Sequence, residues 1–289
     1  MDRIVYDRMA AHDSTHWWYR ARRDILADYL TREGRLPDQA RILEIGCGTG
    51  HNLPMLASFG SVEAIEIDPA ARDIASLRLG RPVGASPLPV LPGVERNAYD
   101  LIAVLDVVEH IEDDVAALKA MAACLKPGGK ILITVPAHQW LWSAHDVVNH
   151  HHRRYSKKTL AAALGKAGLE PRKLGYFNSL LFPLAAAARL MGRMTGRDDS
   201  DDSPPPKAVN GLFEMIFRME RHLVGRVPMS PGVSIITLAE PKGRPFVRPD
   251  RTTPTVRPEL VEGRVPGTGA STSSARKGRS IALMLLCRP

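Results

Sequence analysis

The order of apolar and polar positions divides the chain into short strands that alternate with helices. Residues 41–45, 62–67, 99–105 and 130–135 are short apolar or alternating runs bounded by turn residues, as expected of strands in a sheet. Helical stretches separate them. One follows Gly50, and one begins at Asp68-Pro69 as cap and first helical residue. A third covers 112–124 and is expected to end at Lys126-Pro127-Gly128-Gly129. Residues 156–167 then predict a helix ended by Gly168, 170–177 a strand, and 233–239 the last strand. This alternation predicts an α/β domain built on a mainly parallel sheet with helices on both faces.

The domain proper is expected over residues 41–243, after a helical N-terminal segment at 1–40. A helical insertion, about 178–231, precedes the last strand. It holds two apolar-rich stretches, 178–195 and 208–225, joined by an acidic, proline-rich linker. Residues 244–289 are rich in Pro, Thr, Ser, Gly and Arg. They show no period before the run 281–287, so a disordered tail is expected there.

Charge changes this picture little. The net charge is +8, but residues 244–289 hold nine Lys/Arg against three Asp/Glu, which leaves +2 for the rest. A basic tail is weak support for nucleic-acid binding, and no Asn/Asp-Pro-Pro-Tyr base-flipping motif is present; no nucleic-acid partner is expected. Cys47, Cys124 and Cys287 lie far apart, without metal-ligand spacing or an even disulfide set. A reducing cytoplasm is the simple expectation. The N-terminus lacks a signal-peptide apolar core, and no run approaches the ~20 apolar residues of a membrane span.

The strongest chemical signal is Leu43-Glu44-Ile45-Gly46-Cys47-Gly48-Thr49-Gly50. A buried strand enters a glycine-rich turn and then a helix, which lets the backbone approach a ligand. The spacing is G-x-G-x-G, with His51 where a dinucleotide fingerprint has its third glycine. Glu44 suits a cationic ligand better than a pyrophosphate. Here the sequence resembles the class I S-adenosylmethionine (SAM) dependent methyltransferases over about residues 41–240. The resemblance implies a Rossmann-like seven-stranded sheet and SAM as cofactor. It also implies a cofactor site of Glu44, Gly46, Cys47, Gly48 and Gly50, with Glu66 on the ribose hydroxyls. Many relatives carry an acid near the adenine after the third strand. This chain has Gly84-Ala85-Ser86-Pro87 there, so backbone groups of Ala85 and Ser86 are the candidates.

Asp106-Val107-Val108-Glu109-His110 leaves the sheet where ligands bind in open α/β folds. The pattern is similar to that of ubiquinone-pathway O-methyltransferases, some of which are thought to hold a divalent metal. If a helical turn starts at Asp106, then Asp106, Glu109 and His110 share a face. Two readings stand: a Mg²⁺, Mn²⁺ or Zn²⁺ site, or a helix cap with Glu109 and His110 supporting the loop. Asp106 is also a candidate cofactor contact, and His110 a candidate substrate contact.

Two further clusters flank the core. His16-Trp17-Trp18-Tyr19-Arg20 and His151-x-Arg153-Arg154-Tyr155 together resemble a bacterial methyltransferase subgroup (type 11/23-like). An oxygen nucleophile needs a base, and histidine is matched to neutral pH. His145 and His151 are the candidate bases, with Asp146 orienting one of them. Arg153, Arg154, Tyr155, Trp17 and Trp18 are candidate acceptor contacts; internal salt bridges for the arginines and burial for the tryptophans are the competing readings. The insertion mixes apolar residues with arginines, so core packing and peripheral contact with the inner membrane face are both open. The expected reaction is methylation of a small-molecule, sugar or lipid-linked acceptor, with oxygen favoured. The alternatives are a non-catalytic SAM-fold protein that binds a partner, or a nicotinamide-dependent oxidoreductase.

Overall fold

A computed structural model describes residues 3–195, 205–229 and 231–243 of the chain. The expected tail, 244–289, lies outside them, as does most of the linker inside the insertion. Two N-terminal helices come first, α1 (Arg3–His12) and α2 (Trp17–Tyr29). They lead through β1 (Ala40–Ile45), α3 (Leu53–Ala57), β2 (Gly60–Ile65) and α4 (Pro69–Leu79) to β3 (Tyr99–Leu105), α5 (Asp114–Cys124) and β4 (Leu125–Pro136). Short α6 (Ala144–Val148) and α7 (Lys157–Lys166) precede β5 (Leu169–Pro171) and β6 (Gly175–Phe177). The chain then passes through α8 (Phe182–Thr195) and α9 (Lys207–Met219) into β7 (Ser234–Pro241).

The seven strands form one sheet in the order β2-β1-β3-β4-β7-β5, with β6 also on β7. Strands β1 to β4 are parallel, and β7 runs antiparallel to its neighbours. The chain leaves β1 toward β2 on one side and returns to β3 on the other. The carboxyl ends of β1 and β3 therefore flank a topological switch point, the usual ligand crevice of such sheets. Gly46 and Asp106 stand there, one residue past each strand.

Two apolar layers hold the sheet. One face, with Ile102, Val104, Ile131 and Ile133, packs on α5 and α7 through Leu118, Met121, Leu160 and Leu164. The other, with Ile42, Leu101, Leu132 and Ile236, packs on α2 and α9 through Ile25, Leu26 and Phe217. All of these side chains are fully buried. Trp17 meets Phe213 and Phe217 edge-on at 5.6 and 5.8 Å, so α9 of the insertion is clamped to α2. Helix α8 differs: it buries none of its residues and exposes Leu184, Leu190, Met191 and Met194.

Local chemistry sets the element ends. Asp68 caps α4 by accepting from the Ala70 and Ala71 N–H groups at 3.0 and 2.8 Å. Two expectations are revised. Lys126-Pro127-Gly128-Gly129 does not form a loop between helix and strand; α5 stops at Cys124 and the next residue is already extended. A Cβ at Gly129 would lie 2.7 Å from the Tyr99 carbonyl oxygen, so the glycine permits this close pairing. The single strand expected over 170–177 is two short ones, β5 and β6, laid end to end on β7.

Candidate cofactor and acceptor site

The glycine loop crosses the end of β1 with Gly46, Gly48 and Gly50 all at positive φ (67°, 54° and 80°). Packing reinforces the backbone requirement at two of them. A Cβ at Gly46 would sit 2.7 Å from Val107 Cγ2, and one at Gly50 would sit 2.7 Å from Leu53 Cδ1 and 3.0 Å from the Ala75 backbone. The loop is clipped to β2, since the Gly46 and Cys47 N–H groups both donate to the Ile65 carbonyl. Burial pushes the Cys47 thiol up, so it is an uncharged wall of the loop.

Glu66 follows β2 and is buried. Its Oε2 accepts from the Gly48 N–H at 2.8 Å and its Oε1 from the Asp68 N–H at 2.9 Å. The stretch after Gly84 is drawn to the same place, because the Glu66 N–H donates to the Gly84 carbonyl at 2.9 Å. Ala85 is exposed there, whereas the Ser86 hydroxyl donates within its own loop to the Pro92 carbonyl at 2.9 Å.

Several buried polar atoms around this loop have no protein partner. They are Glu44 Oε2, Asn52 Oδ1, both ring nitrogens of His51 and Arg22 Nε. Groups like these are normally satisfied, so an outside polar ligand or water fits here. Burial raises the Glu44 carboxyl to about 7, partly offset by the Asn52 side chain, which donates at 3.0 Å. Burial also pushes His51 well below the usual imidazole range. A cationic amino acid and nucleoside, as SAM carries, matches this set: an acid for the positive charge and a carboxylate for the hydroxyls.

At the switch point Asp106 is held by Arg22, a fully buried residue of α2. The guanidinium makes a close ion pair with Asp106 Oδ2, donates to Thr134 Oγ1 at 2.8 Å and lies 4.9 Å from the Trp18 ring centre. Arg22, with Arg23, belongs to the aromatic and basic cluster that begins at His16; its pairing with Asp106 was not expected. The available signal was a charged residue on the apolar face of an amphipathic helix, one turn after Trp18.

Asp106 consequently does not join Glu109 and His110. The segment forms a single 3₁₀ turn, Val108–His110, after Asp106 at φ 57°, so the α-helical register assumed for the trio does not arise. His151 takes the third place instead. Among the described residues, ligand atoms of Glu109, His110 and His151 lie within 4.8 Å of one another. Both Glu109 carboxylate oxygens are buried without a partner. Burial, then the Asp106 charge, raises this carboxyl well above the usual range. Burial and the neighbouring His151 push His110 down to about 3, leaving it neutral. An acid that lacks partners beside two imidazoles is a donor set that fits a small divalent cation.

The other candidates lie around Asp146, which is fully buried. Its Oδ1 meets His151 Nδ1 at 2.8 Å and accepts from Arg154 Nε at 2.8 Å. Its Oδ2 accepts from Arg154 Nη2 at 3.0 Å and from the Ser143 N–H at 2.9 Å. Burial alone would raise this carboxyl; the His151 and Arg154 hydrogen bonds outweigh it and hold it well below the usual range. The His145 ring stands 6.2 Å from that of His151.

Residues expected to meet the acceptor mostly have internal partners. Arg154 is buried against Asp146. Arg153 donates to the Glu112 carbonyl at 2.7 Å and pairs with Asp114 at 3.1 Å. Tyr155 is buried, with its hydroxyl on Asp114 Oδ2 at 2.7 Å. Trp17 is part of the α2–α9 clamp, and its backbone N–H donates to Asn210 Oδ1 at 3.0 Å. An aromatic group past β4 had no sequence signal: His138 stacks on Tyr176 at 5.1 Å and faces Phe182 at 5.6 Å and Trp140 at 6.0 Å.

Several known proteins are similar to this chain. A ubiquinone biosynthesis O-methyltransferase from Xanthomonas axonopodis pv. citri is 29% identical over 176 residues, covering 54% of this chain and 73% of that protein. One from Bradyrhizobium sp. is 31% identical over 105 residues, 35% of this chain and 41% of the other. Among solved structures, a chain from the complex of the Haloferax volcanii Trm112 methyltransferase activator with a methyltransferase aligns at TM-score 0.53 and 16% identity. It covers 82% of this chain and 97% of that one. A Bacillus halodurans structure described as a methyltransferase aligns at TM-score 0.51 and 15% identity, covering 74% and 97%. These two share the fold. Residues 17–174, more than half of the chain, match the methyltransferase domain family. With the glycine loop, the switch-point crevice and that match together, the chain belongs to this family and is a SAM-dependent class I methyltransferase.

Proposed function

We propose that this enzyme methylates an oxygen atom of a small-molecule acceptor, with His151 as the base and Asp146 and Arg154 positioning it. The observation that carries this reading is the 2.8 Å contact of His151 Nδ1 with a buried, ionised Asp146. A carboxylate on Nδ1 selects the tautomer that donates there and leaves Nε2 with a lone pair. Glu44, Gly46, Cys47, Gly48, Gly50, Glu66, Ala85, Ser86 and Asp106 are assigned to the cofactor. SAM, when bound, supplies an electrophilic methyl group on a sulfonium. His151 Nε2 would take the proton of the acceptor hydroxyl whose oxygen receives that methyl group. Asp146 stabilises the imidazolium that results, and His145 is the second imidazole within reach. The relatives named O-methyltransferases support the same choice of atom.

The unpartnered Glu109 favours a second reading, in which Glu109, His110 and His151 hold a divalent cation that binds the acceptor oxygen. His151 would then be a ligand and not a base. Methyl transfer from labelled SAM to a panel of catechols, phenols and hydroxylated lipids tests both readings. Transfer that survives chelation and is lost in His151→Ala supports the base. Transfer lost on chelation and restored by Mg²⁺, Mn²⁺ or Zn²⁺ supports the cation. No transfer to any oxygen acceptor would contradict the proposal and favour a partner-binding role. The exposed Leu and Met side chains of α8 support a lipid-linked acceptor met at a membrane surface. Absence of co-flotation with anionic vesicles at low salt would count against that part.

A further inference from the structure

The loop that leaves β4 is tied to the acceptor cluster. The His138 N–H donates to the Tyr155 carbonyl at 2.8 Å. Arg154, the partner of Asp146, donates from Nη1 to the Ala137 carbonyl at 3.3 Å and from its backbone N–H to Gln139 Oε1 at 3.0 Å. His138 itself sits at φ 60° and ψ 103°, a region that a residue with a Cβ occupies only at a cost. That backbone lays the imidazole on the Tyr176 ring, 5.1 Å away and 21° from parallel. Phe182 meets His138 at 62° and Trp140 at 87°. Tyr176 and Phe182 stand past residue 174, where the family match ends, so this group of rings is not a feature of the matched domain.

Three properties distinguish the group from a closed core. Trp140 is 45% exposed, so one wall is open. His138 Nε2 is buried without a partner, and such a nitrogen is normally satisfied by a polar group. Lys157, the first residue of α7, places its Nζ 4.3 Å from the Tyr176 ring centre. Among the described residues no carboxylate answers this charge; burial pushes the ammonium down and no acid offsets it. Helix α7 has no acid in its first turn, and the positive end of its dipole adds to the Lys157 charge. Rings that meet edge to face can take a further flat ring by stacking on one and touching another with its edge. The unanswered ammonium selects a negative substituent, and His138 Nε2 selects a polar group on the ring edge.

We propose that His138, Trp140, Tyr176, Phe182 and Lys157 form the acceptor subsite, and that the acceptor is an aromatic acid, a flat ring bearing a hydroxyl whose carboxylate pairs with Lys157. This rests on the reading of the enzyme as an O-methyltransferase with His151 as the base, and names the substrate class of that site. Lys157 and His138 set specificity and take no part in proton transfer. An uncharged phenol would leave Lys157 unanswered, and a saturated ring would lose the stacking.

The test is calorimetric titration of the full chain, saturated with S-adenosylhomocysteine, with 3-hydroxybenzoate, phenol and 3-hydroxycyclohexanecarboxylate. Wild type, Lys157→Met, His138→Leu and His151→Ala are compared, and melting curves verify the fold of each. Wild type should bind 3-hydroxybenzoate about tenfold more tightly than phenol and about threefold more tightly than the saturated acid. Lys157→Met should abolish the preference over phenol while phenol affinity stays the same. His138→Leu should weaken 3-hydroxybenzoate, and His151→Ala should keep the wild-type preference. Equal affinity for 3-hydroxybenzoate and phenol in wild type, or no binding of either, would overturn the subsite. So would a preference that survives Lys157→Met, or unchanged affinity in His138→Leu. The predicted preferences without methyl transfer to the ring oxygen would keep the subsite and overturn the O-methylation reading. Transfer to phenols with no charge preference would do the reverse.

Discussion

The two halves of the proposed site are built by different means. The cofactor half is local: Gly46, Gly48, Gly50 and Glu66 fall within a short stretch around β1 and β2, and much of their work is done by backbone geometry. The acceptor half is assembled from side chains drawn from the β3 exit, α6 and the loop before α7. Its centre is a buried carboxylate held by a buried guanidinium. Backbone-built sites depend on residues that cannot be replaced, such as glycines at positive φ. Side-chain-built sites depend on pairings that the identity of one residue does not reveal. Arg154 illustrates this: its charge suits an acidic substrate, yet in the structure it neutralises Asp146.

The difference can be broken most forcefully at His151. His151→Ala is expected to lower methyl transfer by roughly 10²–10⁴-fold, the range for loss of a general base, with affinity for S-adenosylhomocysteine kept. Arg154→Ala comes next. It leaves the buried Asp146 carboxylate without its guanidinium partner and should cost about 3–5 kcal/mol in urea unfolding. A loss near zero would show that Arg154 is not a structural partner. Glu44 gives a smaller, pH-dependent effect. Its raised carboxyl, at about 7, is ionised above that pH and neutral below it. Affinity for cationic SAM should therefore rise as pH increases through about 7, and Glu44→Gln should flatten the profile. The same proton makes the ligand-free protein less stable as pH rises from 4.5 toward 7, because the unfolded chain releases it first. Smallest is Asp68→Ala, which removes the cap of α4 and should cost about 1 kcal/mol with little effect on catalysis.

How much was legible follows the same division. The strand at 99–105 and the cap at Asp68 were read directly, because alternation and capping are local rules. The glycine loop was legible for the same reason. The split of β5 from β6 was not, since it depends on pairing with β7, far along the chain. Asp146 was expected to orient His145 or His151; the structure sets it against His151, five residues on, while its pairing with Arg154 was not specified by spacing. His138 escaped, and so did the pairing of Arg22 with Asp106, because each depends on the packing of a helix or a loop turn. The metal trio assumed from α-helical spacing failed at Asp106, where a left-handed residue and a 3₁₀ turn replace the helix.

The most direct test of the account is calorimetric titration of S-adenosylhomocysteine into wild type, Glu66→Ala and His151→Ala, with NADH as a control ligand. The account predicts saturable binding to wild type and none of NADH. Affinity should be lost in Glu66→Ala and kept in His151→Ala. Wild-type affinity in Glu66→Ala, or loss of binding in a folded His151→Ala, would contradict the division of the site into a cofactor half and an acceptor half.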